Sequence, residues 1–428
     1  MSGVPSPVLP PKKASWVEVY FDLVFVLAIA RVAHIVAAGT GWSAIVTALG
    51  VFLVLWWTWI GFVLFYNRYG DEQSLVQRVL LIVGTIPCGV AAVAVDQLAH
   101  GQRLVFALSM AAVRVLLAVA HHIRPGTLTT RIGAGYLASA IGFAVSAFLP
   151  GPWWALLWVA MLVAEAFNLF AANRRHRKLS QREIDEISDE DNWRKAVELF
   201  RPTDAAYALQ ANHLAERFGL FMIILLGEVV ASSGSGVLDG TNVSWAALVA
   251  AIAISGTLWW VYFDSAHVIS ERIIVVAGGS PEVARSTYAL GQVAPAFALI
   301  MTAGGLRQLL DGQADSIAYW FVSIGLGVYF AFMRVDVRIT RGFWFRIAGI
   351  VATFPLALLH PLLSPHAYIW VVLAWALLNA YSISVGGRDA RAYLEVPGVS
   401  VPPQAAPEEG TQPQPPDDPA EPRTVAIT

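Results

Sequence analysis

Residues 42–66 read Trp-Ser-Ala-Ile-Val-Thr-Ala-Leu-Gly-Val-Phe-Leu-Val-Leu-Trp-Trp-Thr-Trp-Ile-Gly-Phe-Val-Leu-Phe-Tyr, with no Asp, Glu, Lys, Arg or His among them. A helix needs roughly 20 largely apolar residues to cross the hydrocarbon core of a bilayer. This run therefore predicts a transmembrane helix. Working outward in both directions, eleven more such runs follow, at 17–38, 75–98, 102–122, 131–149, 152–172, 216–234, 244–266, 286–306, 316–336, 342–362 and 366–386. The whole chain agrees: 57% of its 428 residues are hydrophobic and only 14% are charged, against about 25% charged in a soluble domain. The expected fold is all-α, a polytopic bundle of about 12 transmembrane helices.

Basic residues give the expected orientation, because Lys and Arg are retained on the cytoplasmic side of short loops. With the N-terminus inside, 23 of the 28 basic residues fall on inner segments, two on outer segments, and three (Arg31, Arg114, Arg217) within spans. Both termini are then cytoplasmic. The first apolar run is too long and too charged for a cleavable leader, and reads as a retained first helix. Only four of the basic residues are Lys, a bias consistent with a GC-rich bacterial genome.

The expected organisation is a cytoplasmic N-terminal segment (1–14), a first six-helix half (15–172), a charged cytoplasmic loop (173–215), a second six-helix half (216–390) and a Pro-rich acidic tail (391–428) expected to be disordered. The loop opens with Arg174-Arg175-His176-Arg177-Lys178. It reads as a solvated loop, or as a site for anionic lipid head groups. The two halves echo each other. Glu18-Val19-Tyr20-Phe21 answers Glu216-Arg217-Phe218-Gly219, and Trp56-Trp57-Thr58-Trp59 answers Trp259-Trp260-Val261-Tyr262. Arg78, Gly84 and Pro87 answer Arg285, Gly291 and Pro295. Six helices per half gives both halves the same orientation, a construction some transporters use. Pro87 and Pro295 are candidate helix breaks, since proline removes a backbone donor. Such paired interruptions point to a transport site, although a plain kink is the alternative.

Ionisable residues inside spans cost about 2.5–3.5 kcal/mol each at the helix centre on insertion scales, so they are paired, hydrated or functional. The inventory is Glu18, Asp22, Arg31, Arg114, Glu165, Glu216, Arg217, Glu228 and Asp264. Glu18 and Asp22 share one helix face, which calls for a proton or a cation between them. Arg31 faces roughly the opposite way and needs a partner from another helix. Glu216 and Arg217 are expected to open the seventh helix. The aromatic and polar cluster of Trp56, Trp57, Asn67 and Arg68, with Trp259 and Trp260 in the second half, reads as an interfacial belt or a stacking site. Gly135, Ser139, Gly142 and Ser146 form a small-residue stripe for close helix contact.

Several classes are excluded or disfavoured. A net charge of −2 gives no footprint for nucleic acid, and a single cysteine, Cys88, excludes a disulfide framework. No catalytic, phosphate-binding or metal motif is present, so no cofactor or metal is expected and an enzyme is the less favoured class. The leading reading is a transporter or channel for a small ion or solute, coupled to protons or cations through the intramembrane carboxylates. The alternatives are a lipid-modifying membrane enzyme using Asp22, Glu165 or Glu228, and a structural or regulatory protein that binds a partner through the 173–215 loop. Oligomer formation is left open.

Ser15-Trp16-Val17-Glu18-Val19-Tyr20-Phe21-Asp22-Leu23-Val24-Phe25-Val26 resembles the opening signature of the bacterial low temperature requirement protein A family. Further matches are Trp56-Trp57 with Asn67-Arg68, His213 through Phe221, Ile224 through Glu228, and Trp259 through Phe263. The resemblance spans roughly residues 14–390 and implies a multi-pass protein of the bacterial plasma (inner) membrane. It implies no reaction or substrate. Phe21-x-x-x-Phe25 with Asp22 also echoes the Phe-Ser-Asp motif of a six-helix potassium-channel family, but the serine is missing.

Overall fold

A computed structural model describes residues 13–71, 74–124, 126–171, 208–239, 244–312, 315–334 and 341–394. The readings made for the basic run 174–178, for partner binding through the loop and for the acidic tail fall outside the described residues. Within them every regular element is helical. The chain forms α1 (Trp16–Ala38), α2 (Trp42–Tyr69), α3 (Leu75–Ala99), α4 (Leu104–His122), α5 (Thr127–Ser146), α6 (Trp153–Ala171) and α7 (Ala211–Asp239). Then follow α8 (Trp245–Val276), α9 (Pro281–Asp311), α10 (Ser316–Met333), α11 (Arg341–Val351) and α12 (Pro365–Leu394).

Ten of these rods are long and apolar enough to cross a membrane, α11 only when taken with the 3-10 turn that continues it to Leu359. The two that fall short of the twelve expected are α5 and α6. The small and hydroxylated stripe of α5 dilutes its hydropathy, and α6 is apolar over Trp153–Asn168 among the described residues. Local sequence sets the ends. Ser15 caps α1 in a reciprocal capping box with Glu18, taking up two of the amide donors that a helix start leaves unpaired. Gly312 closes α9 at φ 79°, a left-handed position open to glycine without a Cβ penalty. Near the eleventh expected span, α11 gives way to a 3-10 turn at Phe354–Leu359 that carries Pro355.

Three elements differ from the sequence reading in ways that bear on function. α7 begins at Ala211, before the predicted 216, so Glu216 and Arg217 lie inside the helix and do not open it. α3 runs unbroken through Pro87. α9 is interrupted: a π-helical turn at Arg285–Leu290 and a turn at Gly291–Gln292 precede Pro295. The expected pair of breaks is thus a break in one half only. A second π turn, Tyr262–Ala266, lies in α8.

The helices meet along a central seam. α1 packs on α2 and α3, and α7 packs on α8 and α9. The halves join where α1 lies against α7 and α9, and where α2 touches both. Aromatic rings fill this join. Trp59 lies 4.2 Å from Phe221 and 4.9 Å from Phe218 between ring centroids, and Phe218 lies 4.6 Å from Tyr288. On the far side, the α5 stripe closes on α6. A Cβ at Gly142 would come within 2.4 Å of Met161 Sδ, so only a small residue allows that approach.

Candidate functional site

α1 starts, α2 ends and α7 starts at one end of the bundle, which we call the entry end. Helical spacing puts Glu18 and Asp22 on one face of α1, and His213 and Arg217 on one face of α7. The two faces meet. Arg217 donates from Nη1 to Glu18 Oε1 at 2.7 Å and from Nη2 to Asp22 Oδ1 at 2.6 Å. Trp59 of α2 donates its indole N–H to the same Asp22 oxygen at 2.7 Å. All four side chains are buried, with Arg217 and Asp22 each 1% exposed. The cation required between Glu18 and Asp22 is therefore a guanidinium from the other half of the chain.

His213 extends the cluster. Asn67 at the end of α2 donates from Nδ2 to Gln210 O at 2.9 Å and accepts from Gln210 N at 3.0 Å, which fixes its amide. The same Nδ2 lies 3.0 Å from His213 Nδ1. With Nδ1 accepting, Nε2 carries the proton and donates to Glu18, 3.2 Å away. A neutral His213 satisfies both contacts. The cluster then holds two carboxylates against one guanidinium, a surplus of negative charge in a buried site. Asp22 Oδ2 and Arg217 Nε have no hydrogen-bond partner among the described residues. A cleft at the entry end, lined by Glu18, Tyr66, Gln77 and Arg78, has room of about 20 Å³, enough for roughly one water.

The other predicted residues fall into separate local sets. Arg114 of α4 is bidentate to Glu165 of α6, at 2.7 and 3.3 Å. Ser139 joins that pair, Thr58 accepts from Arg114 at 3.3 Å, and the Phe143 ring lies 4.0 Å beneath the guanidinium. Every contact that this pair needs is supplied from within the first half. Arg31 pairs with Asp96 of α3 at 2.8 Å, with both side chains partly exposed. Glu228 accepts from Ser232 at 2.5 Å. Asp264 accepts from Arg391 at 3.3 Å. Glu216 accepts the Ala14 amide at 2.8 Å. Arg68 lies 5.0 Å from the Tyr69 ring centroid.

The tryptophans correct the belt reading in the first half. Trp56 and Trp57 are buried, and Trp56 donates to Ala289 O at 3.0 Å across the seam. A tryptophan ring suits either an interface or a core that offers its N–H a partner, and here the partner lies in the other half. Trp259 and Trp260 are exposed on the bundle's outside. Sequence reading did not select His213 or Asp96 as site residues. His213 stands four residues before Arg217, so helical spacing alone could have found it. Asp96 sits in the last turn of α3, where an acid reads as an interface residue. Among the described residues no group of three or more His, Cys, Asp or Glu could hold a metal ion.

No solved structure matches the chain. An uncharacterized protein of Rhizobium meliloti (strain 1021) is 28% identical over 266 residues, covering 59% of this chain and 58% of that protein. The chain thus spans little more than half the length of this relative. The model of the family described as bacterial low temperature requirement A protein (LtrA) matches residues 13–380, most of the sequence. With ten helices long and apolar enough to cross a membrane among the described residues, the chain belongs to this family of multi-pass membrane proteins.

Proposed function

We propose that the protein is a transporter or channel for a small ion or solute in the bacterial plasma membrane, with both termini cytoplasmic and the α1–α2–α7 cluster as its ion-responsive element. The observation that carries this reading is Arg217 of one half buried between Glu18 and Asp22 of the other. Two acids and one base leave a surplus negative charge that a proton or a small cation can neutralise. Neutralisation loosens the hold of Arg217 on α1, and so biases how the halves pack. A buried charge pair between two moving bodies is a natural switch, because its strength depends on the charge state of each partner.

Two further features support it. Each half packs its first helix on its second and third, in keeping with two six-helix repeats of the same orientation. α9 is also interrupted next to the seam, and irregular helices inside a bundle commonly line a path. The lipid-enzyme alternative needs carboxylates converging at one point. Asp22, Glu165 and Glu228 are instead engaged by Arg217, Arg114 and Ser232. Anionic lipid at residues 174–178 stays part of the proposal, as does possible oligomer formation.

Flux in proteoliposomes tests the reading. The parent chain should dissipate an imposed proton, sodium or potassium gradient, or take up a labelled solute from a broad panel. Asp22→Asn should change the dependence of that flux on pH or on the coupling cation. Parent flux equal to that of empty liposomes across the whole panel would reject the proposal.

A further inference from the structure

α8 and α9 each carry a π turn, Tyr262–Ala266 and Arg285–Leu290. The wider spacing shows in the hydrogen bonds. His267 N–H reaches Tyr262 O, and Gly291 N–H reaches Ser286 O at 2.9 Å. π turns make up well under 1% of residues in globular proteins and appear mostly as isolated bulges, often at functional sites. Two of them in consecutive helices of one hairpin need a reason.

The side chains they present supply one. Tyr262 Oη, Ser265 Oγ, His267 Nδ1, Tyr288 Oη and Gln292 Oε1 have no hydrogen-bond partner among the described residues. Tyr262 and Ser265 are 0% exposed, and Tyr288 is 1% exposed. A buried polar atom without a partner is unfavourable, and packing alone does not explain five of them on one helical hairpin. Four are linked in space, while Ser265 Oγ turns toward α12. The rings of Tyr262 and His267 lie 5.7 Å apart, Tyr288 is within electrostatic reach of Tyr262, and Gln292 follows one turn after Tyr288. Glycines admit the neighbouring helices. A Cβ at Gly219 of α7 would meet His267 at 3.2 Å, and one at Gly387 of α12 would meet Ser265 Oγ at 2.4 Å.

We infer that the two π turns frame a buried binding site for a small neutral hydroxyl-bearing molecule, water or a polyol. The charge balance selects a neutral ligand. Asp264, in the same turn, is held by Arg391. Glu271 has Arg272 beside it. Arg285, in the other turn, has the Glu282 carboxylate within electrostatic reach. What remains are two phenols, an imidazole nitrogen and an amide oxygen, which together donate and accept. Water held by two to four such groups is a structural component of many interiors. A polyol offers the same hydrogen bonds and adds an aliphatic face for the rings.

Radiolytic hydroxyl-radical labelling of the full chain in nanodiscs, in polyol-free buffer, tests occupancy directly, and does so whether or not the protein transports anything. Radicals form from bound water and mark the ring beside it. Tyr368 is the internal control, since it is equally buried but its hydroxyl meets Ser323 Oγ at 2.6 Å and Tyr319 O at 3.1 Å. Tyr262 and Tyr288 should label faster than Tyr368, because water held beside a ring is a local source of radicals. Labelling as slow as that of Tyr368 overturns the inference. Glycerol then identifies the source. A rise in melting temperature larger in the parent than in Tyr262→Phe/Tyr288→Phe assigns the site to a polyol, and an equal rise assigns it to water.

Discussion

Arg217 Nη2 lies 2.6 Å from Asp22 Oδ1, and these two residues stand 195 positions apart in the chain. The contact joins the first helix of one half to the first helix of the other, with both side chains buried. Removing one member of a buried pair leaves the other charged and unsolvated, which costs about 3–5 kcal/mol.

The first prediction follows from that asymmetry. Arg217→Met should destabilise the bundle by about 3–5 kcal/mol. Combining it with Glu18→Gln and Asp22→Asn should recover much of the loss, because no uncompensated charge is left. Cys88, the only cysteine of the chain and a buried one, provides the measurement. A thiol-reactive dye reads unfolding through its exposure, with no engineered probe. A triple variant less stable than Arg217→Met would contradict the argument.

A second prediction contrasts two ion pairs of similar length. Arg114–Glu165 has side chains 0% and 4% exposed, whereas Arg31–Asp96 has 41% and 38%. Glu165→Gln should therefore cost about 3–5 kcal/mol. Asp96→Asn should cost no more than about 1 kcal/mol, as an exposed pair does, and that cost should shrink further in high salt. Dye-monitored melting at low and high ionic strength checks both.

The rods themselves were legible because runs of apolar residues of bilayer length carry their own signal, and residues 42–66 carry it most cleanly. Their ends were less so. The polar stretch Asn212, His213, Glu216, Arg217 looked like a boundary, yet Asn212 and Glu216 alone are exposed, and His213 and Arg217 form a buried helical face whose partners are Glu18, Asp22 and Asn67. Partners at such separations leave no local trace, and so Arg31 could be known to need one without Asp96 being identifiable as it. The π turns were invisible for another reason. A single extra residue in one turn shifts a periodic pattern too little to stand out in an almost uniformly apolar run. Proline misled in the opposite direction. Pro87 and Pro295 look alike in sequence, but α3 absorbs its proline and α9 does not.

The third prediction concerns the indoles. Trp59→Phe keeps an aromatic ring against Phe218 and Phe221 but removes the N–H that Asp22 accepts. A hydrogen bond to a charged group contributes about 1.5–3 kcal/mol, and a neutral one about 0.5–1.5. Trp59→Phe should therefore destabilise more than Trp56→Phe, which loses only a bond to the Ala289 carbonyl. In the Asp22→Asn background the effect of Trp59→Phe should fall toward the neutral range. Equal effects in both backgrounds would show that ring volume, not the N–H, sets the difference.

The last prediction turns on glycines that the same helical propensity scale treats alike. Gly256 in α8 is exposed, and a Cβ there would meet nothing within 4 Å. Gly236 in α7 is buried against α9, where a Cβ would come within 2.5 Å of Arg307 O and 3.0 Å of its Cα. Replacing glycine by alanine inside a helix gains about 0.8–1 kcal/mol when there is room. Where the obstacle is backbone the helices must separate, and overpacking costs about 1–3 kcal/mol. Gly256→Ala should therefore raise the melting temperature and Gly236→Ala should lower it. Gly325→Ala, which would push a Cβ to 2.8 Å from the Ala298 carbonyl, should behave like Gly236→Ala and loosen α9 from α10. Because α9 also touches α1, thiol-dye access to Cys88 should be slower in Gly256→Ala and faster in the other two. The same sign of effect at all three positions would mean that the contacts of α9 are not as close as described.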